Sequence, residues 1–89
     1  MSEARLRIVN EKGLHARASA RFVETVERFD ARATVEKDGM EVSGDSIMGL
    51  LMLGASRGTE ITVATSGPEA AALLAALTDL VADYFGEGG

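Results

Sequence analysis

Thr34-Val35-Glu36-Lys37-Asp38-Gly39-Met40-Glu41-Val42-Ser43-Gly44 is a stretch that folds back on itself. Asp38-Gly39 suits the positive φ angles of a tight hairpin turn, and Ala33, Val35, Met40 and Val42 alternate with polar residues on either side. Two strands over 34–37 and 40–44, paired antiparallel, are therefore expected. Alternation also means that their sheet has one buried and one solvated face, and the rest of the chain must supply a cover.

Working outward, Thr59-Glu60-Ile61-Thr62-Val63-Ala64-Thr65 repeats the period of two, with Ile61 and Val63 inward, and predicts another strand over 59–65. Near the start, Leu6 and Ile8 alternate with Arg5 and Arg7, which predicts a first strand over 4–10, closed by a turn from Asn10 to Gly13. Between these the period changes. Ser19, Phe22, Val23, Val26 and Phe29 recur at helical spacing, with Arg21, Glu24, Glu27 and Arg28 opposite, so residues 16–29 read as an amphipathic helix. Ser66-Gly67-Pro68-Glu69 reads as the start of a last helix, with Pro68 at its first position and an acid in its first turn. Leu73, Leu74, Leu77, Leu80, Val81 and Tyr84 form its apolar stripe, and Glu87 to Gly89 reads as a frayed tail.

Residues 46–53 form a short helix with Ser46 as N-cap and Gly54 as its stop. Its composition is apolar almost all round. A wholly buried helix and an exposed apolar patch are equally compatible with that composition. The helical period sends Leu50 and Leu53 inward and leaves Ile47, Met48 and Leu51, with Met52 at the margin, as a docking surface. The order strand, helix, strand, strand, helix, strand, helix then implies a two-layer α+β domain.

The 89 residues make one domain, 1–89, expected to be a monomer, and 46% hydrophobic content lies in the globular range. A net charge of −5 argues against nucleic acid or an anionic membrane as partner. The chain has no cysteine and one histidine, so neither a disulfide framework nor a zinc site is expected, and no cofactor. A ferredoxin-like module for RNA or metal fails for want of paired cysteines and of interleaved basic and aromatic residues. The N-terminus lacks the order of a signal peptide and no apolar run approaches a membrane span, so a cytoplasmic protein is expected.

The chemistry concentrates in Gly13-Leu14-His15-Ala16-Arg17-Ala18-Ser19. With His15 at the N-cap of the first helix, unpaired N–H groups and the positive helix end favour an anion beside the ring. Arg17 adds a guanidinium fork that matches phosphate oxygens, and Arg21, a turn further on, reinforces the field. The same positive end keeps a ring-nitrogen lone pair available as a nucleophile. These are the needs of a phosphoryl acceptor, although the spacing alone is equally at home in an ordinary helix cap.

Gly13-Leu14-His15-Ala16-Arg17 resembles the active-site signature of the HPr family, the histidine-containing phosphocarriers of the bacterial phosphoenolpyruvate-dependent phosphotransferase system. Asp45-Ser46-Ile47-Met48-Gly49-Leu50-Leu51-Met52-Leu53-Gly54-Ala55 resembles the family's regulatory serine segment. The resemblance spans nearly the whole chain and implies an open-faced β-sandwich, βαββαβα, with an antiparallel sheet in the order 1-4-2-3 and three helices on one face. It further implies that His15, through Nδ1, receives a phosphoryl group from phosphorylated enzyme I and passes it to an EIIA-type domain. The chain would then be a stoichiometric carrier and not a free-standing enzyme. Arg17 would balance phosphate charge, and Ser46 would be the target of HPr kinase/phosphorylase. Many family members have proline after the arginine, where this chain has Ala18. That departure keeps a second expectation open: a regulatory, nitrogen-branch carrier acting mainly as a phosphorylation-dependent binding module.

Overall fold

The computed structural model describes residues 1–87. Strand β1 (Ser2–Arg7) leads to helix α1 (Ala16–Glu27). The hairpin β2 (Arg32–Lys37) and β3 (Met40–Ser43) follows, then α2 (Ile47–Met52), β4 (Glu60–Ser66) and α3 (Ala70–Ala82). The four strands form one antiparallel sheet in the order β1-β4-β2-β3. Asp38 and Gly39 take the expected positive φ angles, 51° and 85°, at the hairpin turn.

Register explains the two faces. Leu6 lies opposite Ile61, and Ala4, Val63, Val35 and Val42 run across the sheet as one row toward the helices. One residue along, Arg5, Thr62, Glu36 and Glu41 form the row on the open face. Phe22 and Val26 of α1, Leu50 of α2, and Leu73, Leu77 and Val81 of α3 close over the apolar rows. Met40 shares a parity with Val42 but sits at the hairpin tip, where it stays exposed.

Several expected boundaries move. β1 ends at Arg7, not Asn10. Ile8 still continues the ladder, donating its N–H to Thr59 O at 2.8 Å and accepting from Gly58 N at 2.8 Å, but Asn10 turns inward and is fully buried. α1 ends at Glu27, two residues before Phe29, because Arg28 and Phe29 close the helix with short-range bonds to Thr25 and Val26 carbonyls. α3 starts later than expected. Pro68 precedes the N-cap Glu69, whose carboxylate accepts the Asp30 N–H at 2.6 Å and so ties the helix entrance to the exit of α1.

The C-terminal expectations need the largest correction. Tyr84 is not in the α3 stripe; it is 38% exposed, and Phe85 fills the core in its place. Tyr84, Phe85 and Gly86 have φ of 57°, 52° and 77°, so the chain reverses in a single left-handed turn instead of prolonging the helix. Glu87 is not frayed. It is held by its own backbone N–H to Tyr84 O and by two side-chain partners. Gly88 and Gly89, the remainder of the expected tail, lie outside the described residues.

Candidate functional site

The loop before α1 takes its shape from Gly13. Its φ is +66°, and a β-carbon there would lie 2.5 Å from Ala55 O and 2.9 Å from Ser56 Cα, so only glycine fits. Leu14 N–H donates to Ala55 O at 2.9 Å, and Leu14 itself is buried. The segment after α2 thus clamps the residue before His15.

His15 is the N-cap of α1, with extended backbone angles of −82° and −175°. Its carbonyl accepts the Ser19 N–H at 2.8 Å, the first bond of the helix. The Arg17 N–H donates to His15 Nδ1 at 3.3 Å, so a side-chain nitrogen does the capping that serine or aspartate does in most helices. Because Nδ1 accepts, a neutral ring carries its proton on Nε2. Ser19, fully buried, donates its hydroxyl to Leu14 O at 3.3 Å and locks the loop to the helix from below.

Nε2 faces the Glu87 carboxylate, and Glu87 Oε2 accepts from it. Oε1 of the same carboxylate accepts from Asn10 Nδ2 at 2.9 Å, and Asn10 Nδ2 also donates to Gly13 O at 2.7 Å. Burial works against the Glu87 charge. The Asn10 and His15 hydrogen bonds, with the charges of His15 and Lys12, outweigh it and hold the carboxyl below its ordinary value of 4.5.

His15 and Glu87 line a shallow cleft with Glu11, Lys12, Ala16, Arg17 and Gly86, and Asn10 lies buried behind it. His15 and Arg17 therefore meet there as the sequence suggested, and Lys12 adds a second cation. Arg21 does not line the cleft; its guanidinium lies over Gly86, 3.4 Å from where a β-carbon on that glycine would be. Ser46 is on α2, where its Oγ accepts the Gly49 N–H at 3.0 Å as a helix cap. Leu50 is buried, whereas Ile47, Met48, Leu51 and Met52 are 40%, 69%, 37% and 66% exposed, a continuous apolar surface.

Asn10 and Glu87 are the site residues that sequence reasoning missed. Neither lies in a motif, and nothing local pairs the start of the chain with its end. The one available signal was an asparagine in a turn next to the only histidine. Among the described residues there is no cluster of metal-binding side chains and no helix long and apolar enough to cross a membrane.

Residues 2–83 match the sequence model of the family described as PTS HPr component phosphorylation site. The phosphocarrier protein HPr of Neisseria meningitidis serogroup A is 47% identical over 88 residues, 99% of each chain. The crystal structure of HPr from Thermoanaerobacter tengcongensis superposes with a TM-score of 0.93 at 40% identity, covering 98% of each chain. That of Bacillus anthracis HPr gives 0.86 at 39% identity, covering 90% of this chain and 95% of the other. With the same sheet order, the same helical cover and near-complete overlap, the chain belongs to the HPr family: it is a phosphocarrier of the bacterial phosphotransferase system, one that takes up and hands on a phosphoryl group at a histidine without turning over a substrate of its own.

Proposed function

We propose that His15 is the acceptor of this chain and that Nδ1 is the attacking atom. The observation that carries the reading is the direction of the ring. Nδ1 lies at the N-terminus of α1 as the acceptor of a long 3.3 Å bond, while the other nitrogen is engaged elsewhere. A bond of that length is readily given up. As the phosphoryl group arrives, the Nδ1 lone pair forms the new P–N bond, the bond to the donor breaks, and the Arg17 N–H turns to a phosphoryl oxygen. The positive helix end and the Arg17 guanidinium then balance the phosphate charge. A carrier needs little more, because positioning and electrostatics suffice for a labile P–N bond.

The donor in this reading is phosphorylated enzyme I and the acceptor an EIIA-type domain, both met in the cytoplasm. The apolar face of Ile47, Met48 and Leu51 is the docking surface, and Arg21 is a further partner contact. Ser46 beside it is the regulatory site for HPr kinase/phosphorylase. A phosphate on Ser46 adds charge next to Asp45 and to the exposed Met48, so its main effect falls on docking and not on the fold.

Incubation with enzyme I and labelled phosphoenolpyruvate tests the proposal. Acid-labile label on the native chain, absent from His15→Ala and slowed in Arg17→Ala, is the expected result. Label retained by His15→Ala would sink it.

The exposure of Met48 and Met52 beside Ser46 favours a second reading, a regulatory, nitrogen-branch carrier whose partners bind this face according to phosphorylation state. It requires a partner whose affinity changes with Ser46→Asp, and an unchanged affinity counts against it.

A further inference from the structure

Glu87 reaches His15 only through an arrangement that is unfavourable in itself. Tyr84 and Phe85 both occupy the left-handed region, where a side chain's β-carbon crowds the backbone and only glycine is at ease. Full burial of Phe85 offsets this and fixes the turn that points Glu87 at the ring. On the other side Asn10 is fully buried, its amide nitrogen serving Glu87 and Gly13 while its Oδ1 has no partner among the described residues. A surface carboxylate that met a histidine by chance would need neither feature.

Resting on the reading of His15 as the acceptor, we infer that Glu87, backed by Asn10, is a positioning residue for phosphoryl transfer: it keeps the ring proton on Nε2 and thereby leaves the lone pair on Nδ1. The two imidazole nitrogens differ only in which one holds the proton, and a hydrogen bond at one decides the chemistry of the other. Without Glu87 only the long Arg17 N–H bond to Nδ1 still favours this tautomer, so the opposite one, in which Nδ1 carries hydrogen and cannot attack, gains population. The handed-down role is that of a carboxylate that orients a histidine and faces the charge that develops on it.

The transfer step balances without moving a proton. The Nδ1 lone pair forms the bond to phosphorus, and the donor's own atom leaves with the electron pair of its broken bond to phosphorus. Nε2 keeps its hydrogen, so the phosphorylated ring is positive and faces the Glu87 carboxylate. On discharge the Nδ1–P electron pair returns to Nδ1, and the ring is again neutral with its proton on Nε2. Asn10 holds the carboxylate in place through the whole cycle and anchors it to the Gly13 carbonyl, two residues from the ring.

The test compares native protein with Glu87→Ala, Glu87→Gln and Asn10→Ala. The tautomer of the neutral His15 ring is read from its nitrogen NMR shifts, and phosphoryl uptake is timed with enzyme I and phosphoenolpyruvate on the same samples. The native ring is expected to hold its proton on Nε2. Glu87→Ala should lose that preference and take up label about tenfold more slowly, the size typical of a lost orienting partner. Glu87→Gln, whose amide oxygen still accepts from Nε2, should recover the tautomer but not the full rate, and Asn10→Ala should fall between native and Glu87→Ala. Native uptake by Glu87→Ala would overturn the inference, as would a native tautomer in that variant. A native chain that takes no label would instead overturn the acceptor reading, with the ring's tautomer still reporting whether Glu87 holds it.

Discussion

The carbonyl oxygen of Ala55 occupies the space that a side chain on Gly13 would need: a β-carbon there would approach it to 2.5 Å. The same oxygen accepts the Leu14 N–H, so one atom from the segment after α2 sets the course of the loop that carries His15. Gly13→Ala should therefore cost about 3 kcal/mol of stability, combining a left-handed alanine with overpacking against backbone. It should also slow phosphoryl uptake in the fraction that remains folded. Urea denaturation and timed labelling measure the two effects separately.

Phe85→Ala should lower stability by about 3–5 kcal/mol, the usual loss for a fully buried phenylalanine. Tyr84→Ala, at a side chain 38% exposed, should cost far less. The contrast between these neighbours in thermal melts checks the reversed turn against a straight continuation of α3, which would bury Tyr84 instead.

The depressed Glu87 carboxyl makes a pH-dependent contribution. Its folded value lies below the unfolded 4.5, so its stabilisation is complete above that value and is lost as pH falls through the folded one. Glu87→Gln should therefore show a shallower fall in stability with acid than native protein, in urea denaturation over a pH series spanning the carboxylate range. Asn10→Ala removes one of the bonds that lowers the carboxyl and should move the native fall to higher pH.

Ser46 separates a cap from a charge. Ser46→Ala removes the bond from Gly49 N–H and should cost about 1 kcal/mol. Ser46→Asp retains a capping oxygen and should melt close to native. If the α2 face docks partners, Ser46→Asp and Met48→Asp should each weaken binding to enzyme I by about 1–2 kcal/mol, measured by calorimetry, with Met48→Asp leaving the melt unchanged because Met48 is 69% exposed.

What the amino-acid sequence disclosed follows from how local each feature is. Asp38-Gly39 and the alternation around it encode a hairpin within eleven residues, and His15 before an amphipathic run is a cap by the same token. The inward turn of Leu50 against the exposure of Met48 followed from the helical period. Periodicity says nothing about which strands are neighbours, so the 1-4-2-3 order came only from family resemblance. Asn10 and Glu87 meet across 77 residues, and no pattern in either segment registers the other. The family match itself stops at residue 83, short of Glu87. Phe85 was lost for a different reason: left-handed angles at two consecutive side-chain-bearing residues contradict every local preference, and only tertiary burial makes them tolerable.

β1 pairs with β4, a partner from the far half of the chain, and the loop that follows β1 is shaped by Ala55 and closed off by Glu87. Long-range closures of this kind make folding slower, because the entropy of the intervening loop must be overcome before the contacts form. His15 sits near the beginning of the chain, and yet its surroundings are complete only when segments from the middle and the end of the chain are in place. A nascent or half-folded molecule thus has the histidine without the carrier, and the moment at which refolding protein becomes able to accept label is a clock for the joining of its first strand to its last.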